Sequence, residues 1–353
     1  LAILSEGWFS IIYLNFKSYE QNGKWLSSST DIFSLINEVL LEPLKEEERE
    51  FLILMGISNE FTREQAAYLW ARSDSEELLN SLSKNNAFIA RTDNLYRYHH
   101  MLRQCTRHRF SQKSPDYQQK SYTRLGDWFM EKEDYIPAYF SYAKAKNFEK
   151  ILSCIEKDRA LSLNFEHQQD FFSWIDNCPE EILLHHPGAL TVCMLTMFTF
   201  NNIQELYRMK SLLLKSLEIN DTLSNEEKNN LLGDAEVSES FTAYNDISAM
   251  SEYHRRAGAL LSRTTYSVDP NDSWTFGSPS VLMLYHRASG YADAENKEMK
   301  DCMPYYYQIS DGHGSGSEYS FAAELNYERG ECINADISNR MAMSAAKRKR
   351  QFS

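Results

Sequence analysis

Glycine and proline are scarce in this chain, at 13 and 8 of 353 residues. Folds built on many tight turns, all-β folds above all, use both residues at their corners, so a mainly helical chain is expected. A positive excess is missing as well. Lys and Arg total 37 against 50 Asp and Glu, a formal net charge of -13. Nucleic acid and anionic lipid are gripped by basic surfaces, so the chain as a whole is not expected to bind DNA or to sit on a membrane. The acid is concentrated: residues 216–312 carry 16 acidic and 7 basic side chains. None of the six cysteines stands in a C-x-x-C pair and their gaps follow no framework, which points to reduced thiols and a cytoplasmic protein. The longest apolar stretch, residues 189–200, is broken by threonines and falls short of the roughly 20 residues a membrane span needs. The apolar start lacks a basic leader and meets Glu6 at once, unlike a signal peptide. No phosphate loop G-x-x-x-x-G-K-[ST], no G-x-S-x-G and no H-E-x-x-H occurs, so no enzymatic activity is expected of this chain.

Hydrophobic periodicity supplies the organisation. Residues 1–22 form an amphipathic helical pattern with Trp8, Ile11, Ile12, Phe16 and Tyr19 at helical spacing, and a polar linker follows at Ser27–Thr30. Several short helices come next. Ile32–Leu40 gives one and Glu46–Met55 a second. Thr62 opens a third with capping-box spacing to Gln65, and Asp74 opens a fourth. The period then changes to that of strands, at Ala87–Ala90 and Leu95–Tyr98 around the turn residues Thr92-Asp93-Asn94, and a last helix runs from about His100 to Phe110. Helices followed by a hairpin are the order of a winged-helix domain. Beyond residue 117 no strand is expected. Helical pairs recur every 30 to 45 residues or so, the spacing of tetratricopeptide-like α-solenoids. The pairs begin with Tyr117–Glu131 and Tyr135–Ala145 and end with Ser317–Arg329 and Cys332–Lys347, and they include a helix over Ser278–Gly290. The expected fold is therefore mainly α, a winged-helix domain followed by a tetratricopeptide-like α-solenoid superhelix. The first residue is Leu rather than Met and the tail reads as a helix in progress, so a piece of a longer protein is expected.

Three motifs in order carry a resemblance. Glu6-Gly7-Trp8 opens a helix, Phe88-Ile-Ala-Arg leads through Tyr96-Arg-Tyr-His-His100-Met-Leu, and Tyr122 to Ala145 follows with Trp128 and Ala138. Together they resemble MalT-like regulators, the LuxR-family ATP-dependent transcription activators of the signal-transduction ATPase (STAND) superfamily. The resemblance is good over residues 1 to about 220 and looser beyond. It implies three parts: residues 1–27 as the last helix of an ATPase module, 28–115 as the winged helix, and 116–353 as a helical-repeat sensor. It also implies that ATP or ADP is bound by the full-length protein and not by this stretch. DNA would be read only by a C-terminal helix-turn-helix, and the full-length protein would self-associate once an inducer binds the repeats. His99 stands where related proteins use a winged-helix histidine to touch the β-phosphate of ADP. An imidazole N–H can donate to a phosphate oxygen, although the chain departs from the family at Met101-Leu102, where Leu-Phe is usual. The plainer role of His99 is to cap a helix.

Aromatic residues supply a second candidate. Trp274, Phe276, Tyr285, His286, Arg287, Tyr305, Tyr306 and Tyr307 fall within 34 residues. Either they pack between repeat layers or they wall a small-molecule site, with saccharides among the candidate inducers. The ligand-binding candidates are Trp274, Tyr285, His286, Arg287 and Tyr306, because three consecutive side chains at 285–287 cannot all face a core. The glycine-rich run from Asp311 to Glu318 reads as an inter-helix turn with caps at Ser315 and Ser317. It is too poor in ligands for a metal site. The fourth helix, acidic at its start, is a poor reader of DNA. Lys347–Arg350 reads as a solvated helix face. The leading function is the signal-sensing arm of a MalT-type regulator. The alternative is a scaffold whose repeats grip a partner protein or peptide, a basic one given the acid at 216–312.

Overall fold

The computed structural model describes residues 41–349 except 86–88, 270–273 and 276, together with Phe16, Tyr19 and Asn37. The expectations for residues 1–40 that rest on Glu6-Gly7-Trp8 and Ile32–Leu40, and those for Ala87, Phe88 and Phe276, lie outside the described residues. The chain divides into two compact units, Leu1–Lys150 and Ile151–Ser353.

In the first unit α1 (Glu46–Met55) begins with three glutamates, which suit the positive end of a helix, and buries Phe51 to Met55 at its other end. Three residues, Glu60–Thr62, form β1, and α2 (Arg63–Trp70) starts where the Thr62 hydroxyl accepts from the Gln65 N–H at 3.2 Å. After α3 (Ser75–Asn85) come β2 (Ile89–Thr92), β3 (Leu95–Tyr98) and α4 (His100–Ser111). The sheet order is β1-β3-β2, antiparallel throughout. Sequence reading anticipates the hairpin and misses β1, which is too short to show alternation and exists because Phe61 pairs with Tyr96. Phe61 ties sheet to core: its ring stacks on Tyr96 at 5.8 Å and meets Tyr98 edge-on at 5.5 Å. Arg107 of α4 closes the end of α1, donating to the Gly56 carbonyl and to Asn59 Oδ1, both at 3.0 Å. This is a winged helix of four described helices and a small sheet.

A helical hairpin completes the first unit, α5 (Pro115–Glu131) with α6 (Tyr135–Ala145). Its crossing depends on Gly126, where an added Cβ would lie 2.5 Å from Cδ1 of the buried Tyr142 ring. The ring is held in place by its hydroxyl, which donates to Asp127 Oδ1 at 2.9 Å. Alanine is worth up to about 1 kcal/mol more than glycine inside a helix. Overpacking a buried ring costs about 1–3 kcal/mol. Gly126→Ala is therefore expected to lower the urea midpoint; a raised midpoint would show that the hairpin is not closely packed there.

The second unit is helical among its described residues. Its main members are α7 (Phe148–Asp158, whose first turn belongs to the first unit), α8 (Gln168–Asn177), α9 (Glu180–Leu184), α10 (Pro187–Thr199) and α11 (Ile203–Ile219). They are followed by α12 (Asn225–Ser240), α13 (Ile247–Leu260), α14 (Val281–Tyr285), α15 (Ala292–Ile309), α16 (Ser317–Glu328) and α17 (Cys332–Lys349). The helices α10 and α11, α12 and α13, and α16 and α17 form consecutive hairpins, so the expected helical repeats are present. The apolar side chains of α12 to α16, among them Val237, Met250, Met299, Met303 and Phe321, share one core.

Three local expectations are corrected. The helix expected over Ser278–Gly290 shrinks to the five residues of α14. Glu324 holds its first N–H groups, those of Val281 and Leu282, at 3.0 and 3.1 Å, and the buried Glu295 draws the chain out at the other end by accepting from the Arg287 N–H at 2.9 Å. The short α9 is not foreseen. Ser315 and Ser317 are not helix caps. Gly316, at φ 102°, holds the cap position of α16, and both serine hydroxyls turn back to donate to the carbonyls of Gly312 and Gly314.

Candidate ligand cavity

Within the second unit, α10, α13, α14, α15 and the segments after α7 and before α14 enclose a cavity of about 430 Å³. That volume falls in the range of small-molecule sites, about 300–1,000 Å³. Helix α13 presents Ile247, Met250 and His254 to it, a spacing that lines one helix face. Leu195, Phe200, Phe241 and Met303 make the wall predominantly apolar.

The aromatic candidates resolve into two groups. Trp274, Tyr285 and Tyr306 are buried members of the core and line the cavity as well. Tyr285 stacks on Trp274 with centroids 5.2 Å apart and planes 17° apart. The backbone at Gly314 closes on the five-membered ring of Trp274; with φ at 71°, a Cβ there would stand 2.6 Å from Cγ. Tyr306 reaches His313 through its hydroxyl, 2.7 Å from Nδ1. Burial pushes the Tyr306 phenol upward, so it keeps its proton. His286 and Arg287 do not line the cavity. His286 Nδ1 lies 2.7 Å from Glu295, and Arg287 pairs with Asp246 at 2.8 Å and with Glu298. Burial pushes the Glu295 carboxyl upward, and the His286 and Arg287 contacts outweigh it, leaving the carboxyl below its ordinary value. His286 and Arg287 hold the turn after α14; Tyr285 alone of the three faces inward.

Among the wall residues that sequence reasoning passed over are His254 and Arg159. His254 is 2% exposed, and its Nε2 sits 3.2 Å from Ser240 Oγ. The Ser240 hydroxyl donates to the Val237 carbonyl at 2.6 Å, so its oxygen is the acceptor and the imidazole carries its proton on Nε2. Nδ1 has no hydrogen-bond partner. Burial pulls the His254 pKa down from 6.5 to about 4, which keeps the ring neutral at neutral pH. Its place one helical face-repeat beyond Ile247 and Met250 was the readable signal. Arg159 gave none. It lies after α7 with Ala160, both in the left-handed region at φ 56° and 55°, and donates to the Tyr266 carbonyl.

Arg159, Leu161, Leu195, Ser267 and Asp269 also line a second cavity of about 390 Å³. Asp234 anchors that wall. It is 2% exposed and accepts from Arg263 Nη2 at 2.7 Å, Thr265 Oγ1 at 2.6 Å and the Tyr266 N–H at 2.9 Å. The Arg263 guanidinium in turn lies 3.5 Å above the Tyr266 ring.

The first unit has its own candidate in His99. Its Nδ1 accepts from the Met101 N–H at 3.4 Å at the start of α4, and its ring lies 4.4 Å from that of His100. Residues 36–118, which include it, match the family of MalT winged helix domains. This part of the chain is similar to MalT winged helix domains. A solved STAND protein with a tetratricopeptide repeat sensor, from Pyrococcus horikoshii, is similar at 14% identity and a TM-score of 0.48, over 98% of this chain and 50% of that one. The chain thus spans about half the length of that protein. No curated protein matches.

Proposed function

We propose that this chain is the sensing arm of a MalT-like STAND transcription regulator, and that an inducer binds in the cavity of the helical-repeat unit. The observation that carries the reading is the cavity itself, a small-molecule-sized chamber walled by Trp274, Tyr285, Tyr306 and His254 in the repeats that follow a MalT-type winged helix. A ligand shifts a conformational equilibrium only by its differential affinity for the two states. The inducer would favour the arrangement in which the full-length protein exchanges ADP for ATP, self-associates and engages DNA through a separate helix-turn-helix. In the resting state His99 Nε2–H would donate to the β-phosphate of ADP.

The test is thermal unfolding of the 353-residue chain against a broad metabolite set. A ligand at a hundred times its Kd stabilises by about 2.7 kcal/mol. A raised Tm is expected for at least one compound, and Met250→Trp, which fills the chamber, is expected to abolish the rise. A rise that survives Met250→Trp would place the ligand elsewhere. A second reading rests on an open groove of about 910 Å³ lined by the exposed Met283, Tyr327 and Cys332 beside Glu328 and Asp336. Its acidic rim suits a basic peptide, and the repeats would then act as a scaffold. Salt-sensitive capture of a basic peptide, without small-molecule stabilisation, would favour that reading.

A further inference from the structure

Positive charge is the minority sign in this chain, yet it gathers without acid where the winged helix meets the α5–α6 hairpin. Helix α4 contains no acidic residue and carries Arg103 and Arg107 at the i, i+4 spacing that makes neighbours of side chains. Arg107 is fixed in place. Its Nε donates to the Gly56 carbonyl at 3.0 Å, and its Nη2 to the Ile57 carbonyl at 3.4 Å and to Asn59 Oδ1 at 3.0 Å. Among the described residues the two N–H groups on its Nη1 have no partner. Lys144, in the last turn of α6, holds its Nζ 5.5 Å from the centroid of the Tyr122 ring, and that ring meets Phe110 of α4 edge-on at 5.3 Å. The Tyr122 ring thus brings Lys144 beside α4.

Among the described residues no carboxylate pairs with Arg103, Arg107 or Lys144. Arg63, Arg72, Arg97, Arg109 and Lys113 of the same unit each have one. Desolvation and then the Arg103 charge pull the Arg107 pKa down, with the Tyr122 phenol acting against them. Desolvation and then the Arg107 charge pull down that of Lys144. The three cations therefore repel one another, and nothing beside them offsets the charge. A multiply charged anion would offset it; a single carboxylate would answer one charge of three. Guanidinium groups grip phosphate oxygens with paired N–H bonds, and an ammonium adds a point charge. A nucleic acid would also meet the rest of an acidic chain, so a small anion fits better. Arg107 lies about 12 Å beyond His99 along α4, at 1.5 Å per residue, so the trio is centred away from the helix start. We propose that Arg103, Arg107 and Lys144 form a binding site for a small phosphate-bearing anion, separate from His99.

Inorganic phosphate and pyrophosphate are the probes, titrated by calorimetry into the whole 353-residue chain, with potassium chloride at matched ionic strength as the blank. Both are expected to bind above the blank, pyrophosphate the more tightly because it carries more charge. Arg103→Gln and Lys144→Met are each expected to weaken binding about 10- to 100-fold, the usual effect of losing a hydrogen bond to a charged group. Arg107 is left in place because it also closes α1. Lys120→Met removes an exposed lysine of α5 that pairs with Asp116, and is expected to change binding by less than about 2-fold. Binding no stronger than the blank overturns the proposal. Losses in Lys120→Met equal to those in Arg103→Gln and Lys144→Met reduce the effect to general charge and overturn the site. Binding of a glutamate oligomer, with neither phosphate bound, overturns the ligand class and marks the face as a contact for an acidic protein.

Discussion

Asp234→Ala is expected to destabilise the second unit by about 3–5 kcal/mol, the usual cost of removing one partner from a buried ion pair. The carboxylate is almost wholly buried and serves three donors at once. Without it, Arg263 keeps its charge at 27% side-chain exposure, and the Thr265 hydroxyl and Tyr266 N–H lose their acceptor. The measurement is a urea unfolding curve for the variant and for Asp234→Ala with Arg263→Met. The double variant is expected to recover part of the loss, because it removes the stranded charge. A single variant within about 0.5 kcal/mol of the parent, the range of ordinary surface changes, would show that the pair does not organise this wall.

Acid is expected to weaken the same unit through His254. Its folded pKa is about 4 against 6.5 for a free histidine. The unfolded chain therefore takes up this proton more readily than the folded one. Stability is complete above pH 6.5, declines as pH falls toward 4, and changes no further from this source below 4. At 1.36 kcal/mol per unit the loss is about 3 kcal/mol. Many carboxylates also titrate toward the acid end of this window, so the quantity to compare is the difference between the parent and His254→Phe in stability against pH. The parent is expected to lose ground on the variant between pH 6.5 and 4. Parallel curves would show that the imidazole is not buried as the cavity requires.

The helices were legible because their apolar residues recur at helical spacing, and Tyr135–Ala145 and the long α15 stand where that spacing places them. Elements were missed or misjudged where tertiary partners decide the backbone. β1 exists by pairing with β3, and α14 is cut short by two carboxylates, Glu324 from α16 and Glu295 from the next helix, α15. The cavity was half legible. An aromatic cluster is visible in composition, and it contained Trp274, Tyr285 and Tyr306. Which neighbours face inward is not visible, because His286 and Arg287 are drawn outward by Glu295, a partner identified only by the fold. His254 carries a phase signal, since it continues the Ile247 and Met250 face, yet its unmet nitrogen depends on what Ser240 does.

The loop of Gly312, Gly314 and Gly316 adopts positive φ at all three glycines, and its middle residue touches Trp274 through bare backbone. The main chain behind Trp274 cannot be trimmed by mutation, because glycine is already the smallest residue. Nor can it be thickened, since any side chain would strike the indole. That side of the chamber is fixed in depth. Variation in what the chamber admits has to come from other wall residues such as Leu195, Ile247 and Met250, which can each be exchanged for a larger or smaller residue. Homologues tuned to different ligands would then keep the glycines and differ at those three positions.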